Sequence, residues 1–510
     1  MNAPVLALRL HPADDVLIAT RQLVAGMQVE GVRIIGLVPA GHKVAARAVA
    51  AGASVHRYGQ PIGVATKVIR AGEHVHVHNL AVGELPAARH RLDVAVHEAP
   101  SVSASGRTFD GIVRADGRVA TRNYVGVLTT VNCSATVARA IADHFRRDLR
   151  PQALAGFPNV DGVIALTHSL GCGIDREGEG LRVLQRTLAG YARHANFAAV
   201  LVVGLGCETN QVDALLQAQG LARGASLSTF TIQDSGGTAR AVERGIAAVA
   251  AMLPRADEVR RRPVPAAHLC VGLQCGGSDG HSGITANPVL GAAVDRLVAL
   301  GGTAVLSETP EIHGAEHLLT RRARTPEIAE RLLARVRWWE AMCARHGASL
   351  DNNPSPGNKA GGLTTILEKS LGAIAKAGTS PLNAVYEYAE PVSSKGLVFM
   401  DSPGFDPVSA TGQVAGGANL LCFTTGRGSA YGCAPTPSLK LATHDDLVRR
   451  QGDDIDLGCG GVLDGRHTVE GLGDELLSLM LATASGRRTR SEVHGYGQNE
   501  FVPWSMGVVT

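Results

Sequence analysis

Apolar positions fall into two regimes along the chain. Up to about residue 97 they form short β-branched runs, Val16-Leu-Ile-Ala, Val32-Arg-Ile-Ile and Ile62-Gly-Val-Ala, separated by Gly and Pro. That pattern predicts short strands joined by tight turns. His74-Val-His-Val-His alternates strictly, which predicts a strand with three histidines on one face. A Ser/Pro/Ala-rich stretch follows at 98–108 and reads as a linker. From 109 the apolar runs lengthen and alternate with helical periodicity. Val125-Gly-Val-Leu-Thr-Thr, Val163-Ile-Ala-Leu and Ala199-Val-Leu-Val-Val-Gly are continuous, as strands buried on both faces are. Helical patterns occupy about 136–145 and 180–194 between them. The charged, Pro-containing stretch 255–265 marks a second boundary. Beyond it, Leu269-Cys-Val-Gly-Leu, Ala304-Val-Leu-Ser and Gly396-Leu-Val-Phe-Met read as buried strands, and 325–345 as a long helix carrying Trp338 and Trp339. The expectation is α/β: a small β-rich domain at 1–97, the linker 98–108, then α/β domains at 109–262 and 263–510 with largely parallel sheets.

Composition removes several function classes. Lys+Arg number 49 against Asp+Glu 46, a balance without the basic stripe of a nucleic-acid partner. No apolar stretch is long enough to span a bilayer. The N-terminus lacks a basic segment followed by a long apolar one, so a cytoplasmic protein without membrane or nucleic-acid partners is expected. Sixty-one glycines with only 4% aromatics point to many close backbone approaches rather than a bulky core. Nine cysteines, an odd count, favour thiols or metal ligation over a disulfide framework.

Candidate chemistry gathers where strands end. Cys133, Cys172, Cys207 and Cys275 each sit in a polar or Gly-rich turn after an apolar strand. In open α/β sheets those turns lie on the ligand-binding edge, and thiolates there, taken as a set, suit iron or zinc; singly, each reads as an inert buried thiol. His42-Lys43 and the strand of His74, His76 and His78 offer proton-transfer groups or metal ligands. Asn353-Pro-Ser-Pro-Gly-Asn358-Lys359 leads into a helical stretch and suits an anion, although the order of a P-loop is absent. Arg427, in Thr424-Thr-Gly-Arg-Gly, suits a carboxylate. The Arg-rich run 114–122, with Arg122, reads either as a carboxylate site or as a salt-bridged hairpin. Glu208, Asp279, Glu308 and Glu311 lie beside strand ends, where acids ligate hard metals or transfer protons.

Taken together, Gly41-His-Lys, Ala71-Gly-Glu-His-Val-His-Val-His-Asn, Arg114-Ala-Asp-Gly-Arg, Gly204-Leu-Gly-Cys-Glu, Cys275-Gly-Gly-Ser-Asp-Gly, Gly283-Ile-Thr-Ala-Asn-Pro, Asn353-Pro-Ser-Pro-Gly-Asn-Lys and Thr425-Gly-Arg-Gly resemble the altronate/galactarate dehydratase family across nearly the whole chain. The resemblance implies an N-terminal SAF domain, a β-clip-like module, ahead of the dehydratase region. It also implies ferrous iron or another divalent metal. Leu170 stands where the family commonly has Tyr, and His281 and His313 where its altronate enzymes are usually apolar. The resemblance extends to sulfolactate sulfo-lyase, whose two subunits look like the two regions fused here.

The reading that follows is a hydro-lyase that dehydrates an aldonic or aldaric acid of the altronate or galactarate type to a 2-keto-3-deoxy acid. Metal ligation is expected from Cys172, Cys207, Cys275 and Glu208, as Fe2+ or an iron–sulfur centre. Acid/base groups are expected at His42, Lys43, His76 and His78, and substrate contacts at Arg122, Asn358, Lys359 and Arg427. The alternatives are carbon–sulfur elimination and non-catalytic sugar-acid binding. A homodimer is the expected assembly.

Overall fold

The computed structural model describes residues 5–83 and 106–507. Most of the expected linker, 98–105, and the boundary at 97 lie outside them.

The N-terminal domain is built from short antiparallel strands. Ala7–Leu8, Val16–Ala19, Lys43–Ala45 and His74–Val75 form one sheet, in that order. Ser54–Arg57, Gln60–Ala65 and Leu80–Ala81 form another. Val16–Ala19 is apolar at every position because it is sandwiched. Val16 and Ile18 pack with Val55, Ile62 and Val75, while Leu17 and Ala19 pack with Leu23, Val38 and Val44. The expected five-residue histidine strand is corrected: only His74–Val75 pairs, and 76–79 is a turn. Asn79 makes the turn. Its Oδ1 accepts from the His76 N–H at 2.9 Å, and its Nδ2 donates to the His74 carbonyl at 3.0 Å, so a side chain replaces the ladder partner.

The second domain is a parallel sheet in the order Gly162–Leu166, Tyr124–Thr129, Phe197–Gly204, Leu227–Thr231. Helices Ala135–His144 and Thr238–Asp257 cover one face through Val137, Ile141, Val249 and Leu253. Helix Glu179–Arg193 covers the other through Leu184 and Leu188. The charged stretch after this sheet is not a loose connector. The helix runs on to Asp257, and Arg261–Pro265 then pairs antiparallel with Thr108–Val113. Its prolines are tolerated because that strand lies at the edge of its sheet.

The third domain holds a seven-stranded, wholly parallel sheet. Its order is Leu382–Tyr386, Gly396–Met400, Thr303–Leu306, Cys270–Cys275, Leu420–Thr425, Ser438–Ala442, Leu457–Gly458. Every residue of Gly396–Met400, Leu420–Thr425 and Ser438–Ala442 is buried, which accounts for the unbroken apolar run of Gly396–Met400. Helices Ala286–Ala299 and Val469–Ala484 pack into its largest apolar cluster. Val408 and Val414 of helix Asp406–Ala415 instead join Leu184 and Tyr191 of the second domain, so one core spans both domains. No helix among the described residues is long and apolar enough to cross a membrane.

Candidate functional site

The loops after three adjacent strands of the seven-stranded sheet, together with one helix, enclose a buried charged cluster. Cys275 ends its strand. Glu308 and Glu311 follow Thr303–Leu306, and Asp406 follows Gly396–Met400. Lys369 lies on helix Ile366–Ile374, and Lys376 in the 3-10 turn Ala375–Ala377 that continues it. Their spacing of seven, two helical turns, keeps both on one face. Lys376 Nζ donates to Cys275 Sγ at 2.9 Å and lies 3.5 Å from Glu308 Oε2. Lys369 Nζ donates to Glu311 Oε1 at 2.5 Å and to Asn353 Oδ1 at 2.6 Å. Asn353 Nδ2 closes the ring onto Glu311 Oε1 at 2.8 Å.

Glu308 is the anomaly in this cluster. Its backbone is left-handed, with φ +73°, a conformation costing about 1–3 kcal/mol for a non-glycine residue. Both its carboxylate oxygens are buried without a hydrogen bond, where such groups are normally satisfied. Burial, then the neighbouring Glu311, holds its carboxyl well above the usual range. Burial also pushes Asp406 up, with Glu311 adding to the effect, to about 6. Burial pulls Lys376 down, but Cys275, Glu308 and Glu311 outweigh it and keep the ammonium charged. Cys275, Glu308 and Glu311 each place a ligand atom within 4.8 Å of the others, the only such trio among the described residues. One sulfur and two carboxylates suit a borderline divalent ion such as Fe2+, and the Glu308 oxygens, which accept no hydrogen bond, are the donors such an ion would satisfy.

The N-terminal domain docks beside this cluster, on residues 359–368. Lys43 is fully buried. Its Nζ donates to the Gly362 carbonyl at 2.6 Å and to both Glu368 oxygens at 2.8 Å. Arg57 donates to the same carboxylate and, at 2.6 Å, to the Gly280 carbonyl. Burial pushes Glu368 up, yet Lys43 and Arg57 together hold it down at about 2. The backbones nearly touch: a Cβ on Gly280 or Gly362 would meet the Gly41 carbonyl oxygen at 1.8 or 2.4 Å. Three imidazoles line this seam. His42 Nδ1 lies 3.0 Å from His74 Nε2, His42 Nε2 lies 3.2 Å from the Ala360 carbonyl, and His76 Nε2 lies 2.8 Å from the Lys359 carbonyl. His78 is exposed, with its ring centroid 5.4 Å from that of His74.

The histidines supply a pH test. Burial, with neighbouring cations adding to it, depresses His42 to about 4 and His74 to about 3. Both stay neutral in the folded protein while an unfolded His takes a proton near 6.5. The unfolded chain therefore binds more protons below that value, and stability falls as pH drops from about 6.5 toward 4. The expected result is a lower Tm at pH 5 than at pH 7, with the difference reduced in His42→Gln; equal differences in the two proteins would remove the histidines as its cause.

Other expected site residues take different places. Arg122 is buried and committed: it donates to Glu492 at 2.5 and 2.7 Å and to the carbonyls of Thr121, Thr483 and Arg487. No donor is left for substrate, and its role is to pin the C-terminal region. Asn358 is engaged locally, accepting from Ser355 N and donating to the Ser278 carbonyl. Lys359 is half-buried beside the seam. Arg427 is exposed and lines a cavity of about 540 Å³ between the N-terminal and third domains, with Arg21, His281, His444 and Arg466. Loop 275–281 reaches from the buried cluster to this cavity. Cys172 and Cys207 are exposed at the edge of the other parallel sheet, apart from the buried trio that includes Cys275. Glu208 braces its own loop, accepting from Thr130 Oγ1 at 2.6 Å and from the N–H groups of Leu205 and Gly206. The residues not foreseen as site members are Lys369, Lys376, Asp406, Arg57 and Glu368. A signal existed for the lysines, because a charge every seven residues inside the apolar run 366–377 marks a polar stripe within a buried helix.

Three family models match consecutive stretches: the altronate/galactarate dehydratase SAF domain at residues 5–83, the D-galactarate dehydratase/altronate hydrolase second domain at 111–257, and the D-galactarate/altronate dehydratase C-terminal domain at 266–509. Altronate dehydratase of Bacillus subtilis (strain 168) is 34% identical over 96% of this chain and 97% of its own. Galactarate dehydratase (L-threo-forming) of Escherichia coli (strain K12) is 37% identical over 94% of this chain and 93% of its own. The (2R)-sulfolactate sulfo-lyase subunit beta of Chromohalobacter salexigens is 35% identical over 78% of this chain and 97% of its own. With matches of this extent in the same domain order, the chain belongs to the altronate/galactarate dehydratase family of carbon–oxygen lyases.

Proposed function

We propose that the protein removes water from a sugar acid of the altronate or galactarate type, leaving a 2-keto-3-deoxy acid. The observation that carries this reading is the buried Cys275–Glu308–Glu311 trio with two lysines against it. Loss of water β to a carboxylate needs a base for the weakly acidic α-proton, cations against the enediolate charge, and help for a poor leaving group. Lys369 and Lys376 supply fixed positive charge in a site shielded from water, where it acts most strongly. Asp406, which lies against Gly276 beside the trio, is assigned the α-proton. Cys275, Glu308 and Glu311 would hold the divalent metal, whose Lewis acidity would assist departure of the hydroxyl. Arg427 and Lys359 would hold a substrate carboxylate at the mouth of the interdomain cavity.

The test is turnover of a panel of aldonic and aldaric acids by protein purified anaerobically with ferrous iron, following 2-keto-3-deoxy acid. Turnover of altronate or galactarate is expected, with turnover and the share of bound iron held by the trio lost in Cys275→Ser. No turnover of any sugar acid by iron-loaded protein would overturn the reading. The similarity to the sulfo-lyase subunit favours one second reading, carbon–sulfur elimination at the same site. Sulfite released from sulfolactate, without sugar-acid turnover, would establish it.

A further inference from the structure

Cys133, Cys172 and Cys207 lie outside the buried cluster, yet all three are free and exposed at one edge of the four-stranded sheet. Each follows a different strand, Tyr124–Thr129, Gly162–Leu166 or Phe197–Gly204, and these strands are neighbours with 124–129 in the middle. Helix Ala135–His144 leaves on one face and helix Glu179–Arg193 on the other. The strand order therefore reverses here, and the crevice beyond such a switch point is where open parallel sheets bind ligands. The three loops are fastened together. Asn132 N donates to the Leu170 carbonyl at 3.0 Å, Asn210 N to the Gly171 carbonyl at 3.0 Å, and Asn210 Nδ2 to the Thr130 carbonyl at 3.0 Å. Gly171, at φ +106°, lies so close that a Cβ there would meet the Thr130 carbonyl oxygen at 2.3 Å. Cys133 adjoins Asn132, Cys172 adjoins Gly171, and Cys207 adjoins the loop-bracing Glu208.

We propose that these thiols hold an iron–sulfur cluster, with three irons bound to protein and one corner left open. The supply of ligands favours a cluster with one open corner over a single closed ion. A closed structural zinc site needs a fourth ligand, and the nearby candidates are occupied. Glu208 is taken up by its own loop. His168 has Nε2 on the Thr129 carbonyl and Nδ1 on the Leu170 N–H. Three thiols from three loops also cannot all pair as disulfides.

This site stands apart from the dehydration reading, and its test does not depend on turnover. The full-length protein is purified anaerobically, reconstituted with iron and sulfide, desalted, and assayed for iron, acid-labile sulfide, visible charge-transfer absorption and cysteine alkylation by peptide mass. Retained sulfide, a visible band, and protection of Cys133, Cys172 and Cys207 but not of Cys343 are expected. Cys133→Ser, Cys172→Ser and Cys207→Ser should each lose the sulfide and the band, while Cys275→Ser keeps both. Sulfide that survives all three variants, or full alkylation of the three thiols in reconstituted wild-type protein, would overturn the proposal. The alkylation result needs no variant, so a misfolded mutant does not blunt the test.

Discussion

Glu308→Gln is expected to lower kcat by about 10²–10⁴-fold, the range found when a group acting directly on a reacting proton or charge is removed, with little change in fold. The side chain is buried, strained and without a hydrogen bond. Burial and Glu311 also hold its carboxyl well above the usual range. A neutral amide of the same shape is therefore a mild change for stability. It is a severe one for function, because an amide is a far poorer ligand than a carboxylate and leaves Lys376 without the acid 3.5 Å away. Three measurements check this: kcat on the substrate found by the panel, bound iron, and Tm. A variant within a few-fold of wild-type kcat would move the chemistry away from the trio. A large fall in Tm would mean that Glu308 is holding the fold rather than the reaction.

The second large effect concerns stability. Glu368→Ala should cost about 3–5 kcal/mol, the penalty for leaving buried charges unpaired. Lys43 and Arg57 are each 1% exposed or less and both point at this one carboxylate. Thr364 loses its acceptor as well. Because the folded carboxyl titrates near 2 and an unfolded Glu near 4.3, its contribution is fully present above about 4.3. It is lost as pH falls toward 2. Acid should therefore loosen wild-type protein in that window more than Glu368→Ala, which has already lost the contribution. Replacing the whole knot, Lys43→Met with Arg57→Met and Glu368→Leu, should recover much of the loss, since apolar residues can substitute for a complete buried ionic group. Chemical denaturation and limited proteolysis of the N-terminal domain read both effects. Equal stability of wild type and Glu368→Ala would show that the seam is held by packing alone.

What was legible in the sequence follows from periodicity. Strands buried on both faces read as near-continuous apolar runs, so Gly396–Met400 can be located to the residue. Helix Pro326–Arg345 carried its own N-cap, Thr325, whose side chain accepts from Ile328 N. The alternation of 74–78 predicts a longer strand than forms because it takes no account of Asn79, a single side chain that turns the backbone. The cysteines illustrate another limit. Strand-end placement was a sound guide to the edge on which each lies, but it carries no information on which sheet owns the strand, and Cys275 belongs to a different sheet from Cys172 and Cys207. Arg122 shows the same limit for charge: an Arg-rich run looks alike whether its donors face substrate or Glu492. Lys369 and Lys376 are hard to read because buried lysines are rare unless paired, and their partners Glu311 and Cys275 lie more than fifty residues away in sequence.

The Lys43–Glu368–Arg57 knot carries a consequence for how the gene can be divided. The hydrogen bonds that Lys43 and Arg57 donate across the seam run from side chain to side chain or side chain to carbonyl, between residues 223 to 325 positions apart. Recognition between the two parts is thus written on their surfaces and does not need the peptide that joins them. Two separately translated polypeptides bearing these faces would find each other and rebuild the seam, so fusion into one chain sets the stoichiometry at one to one without being what holds the parts together.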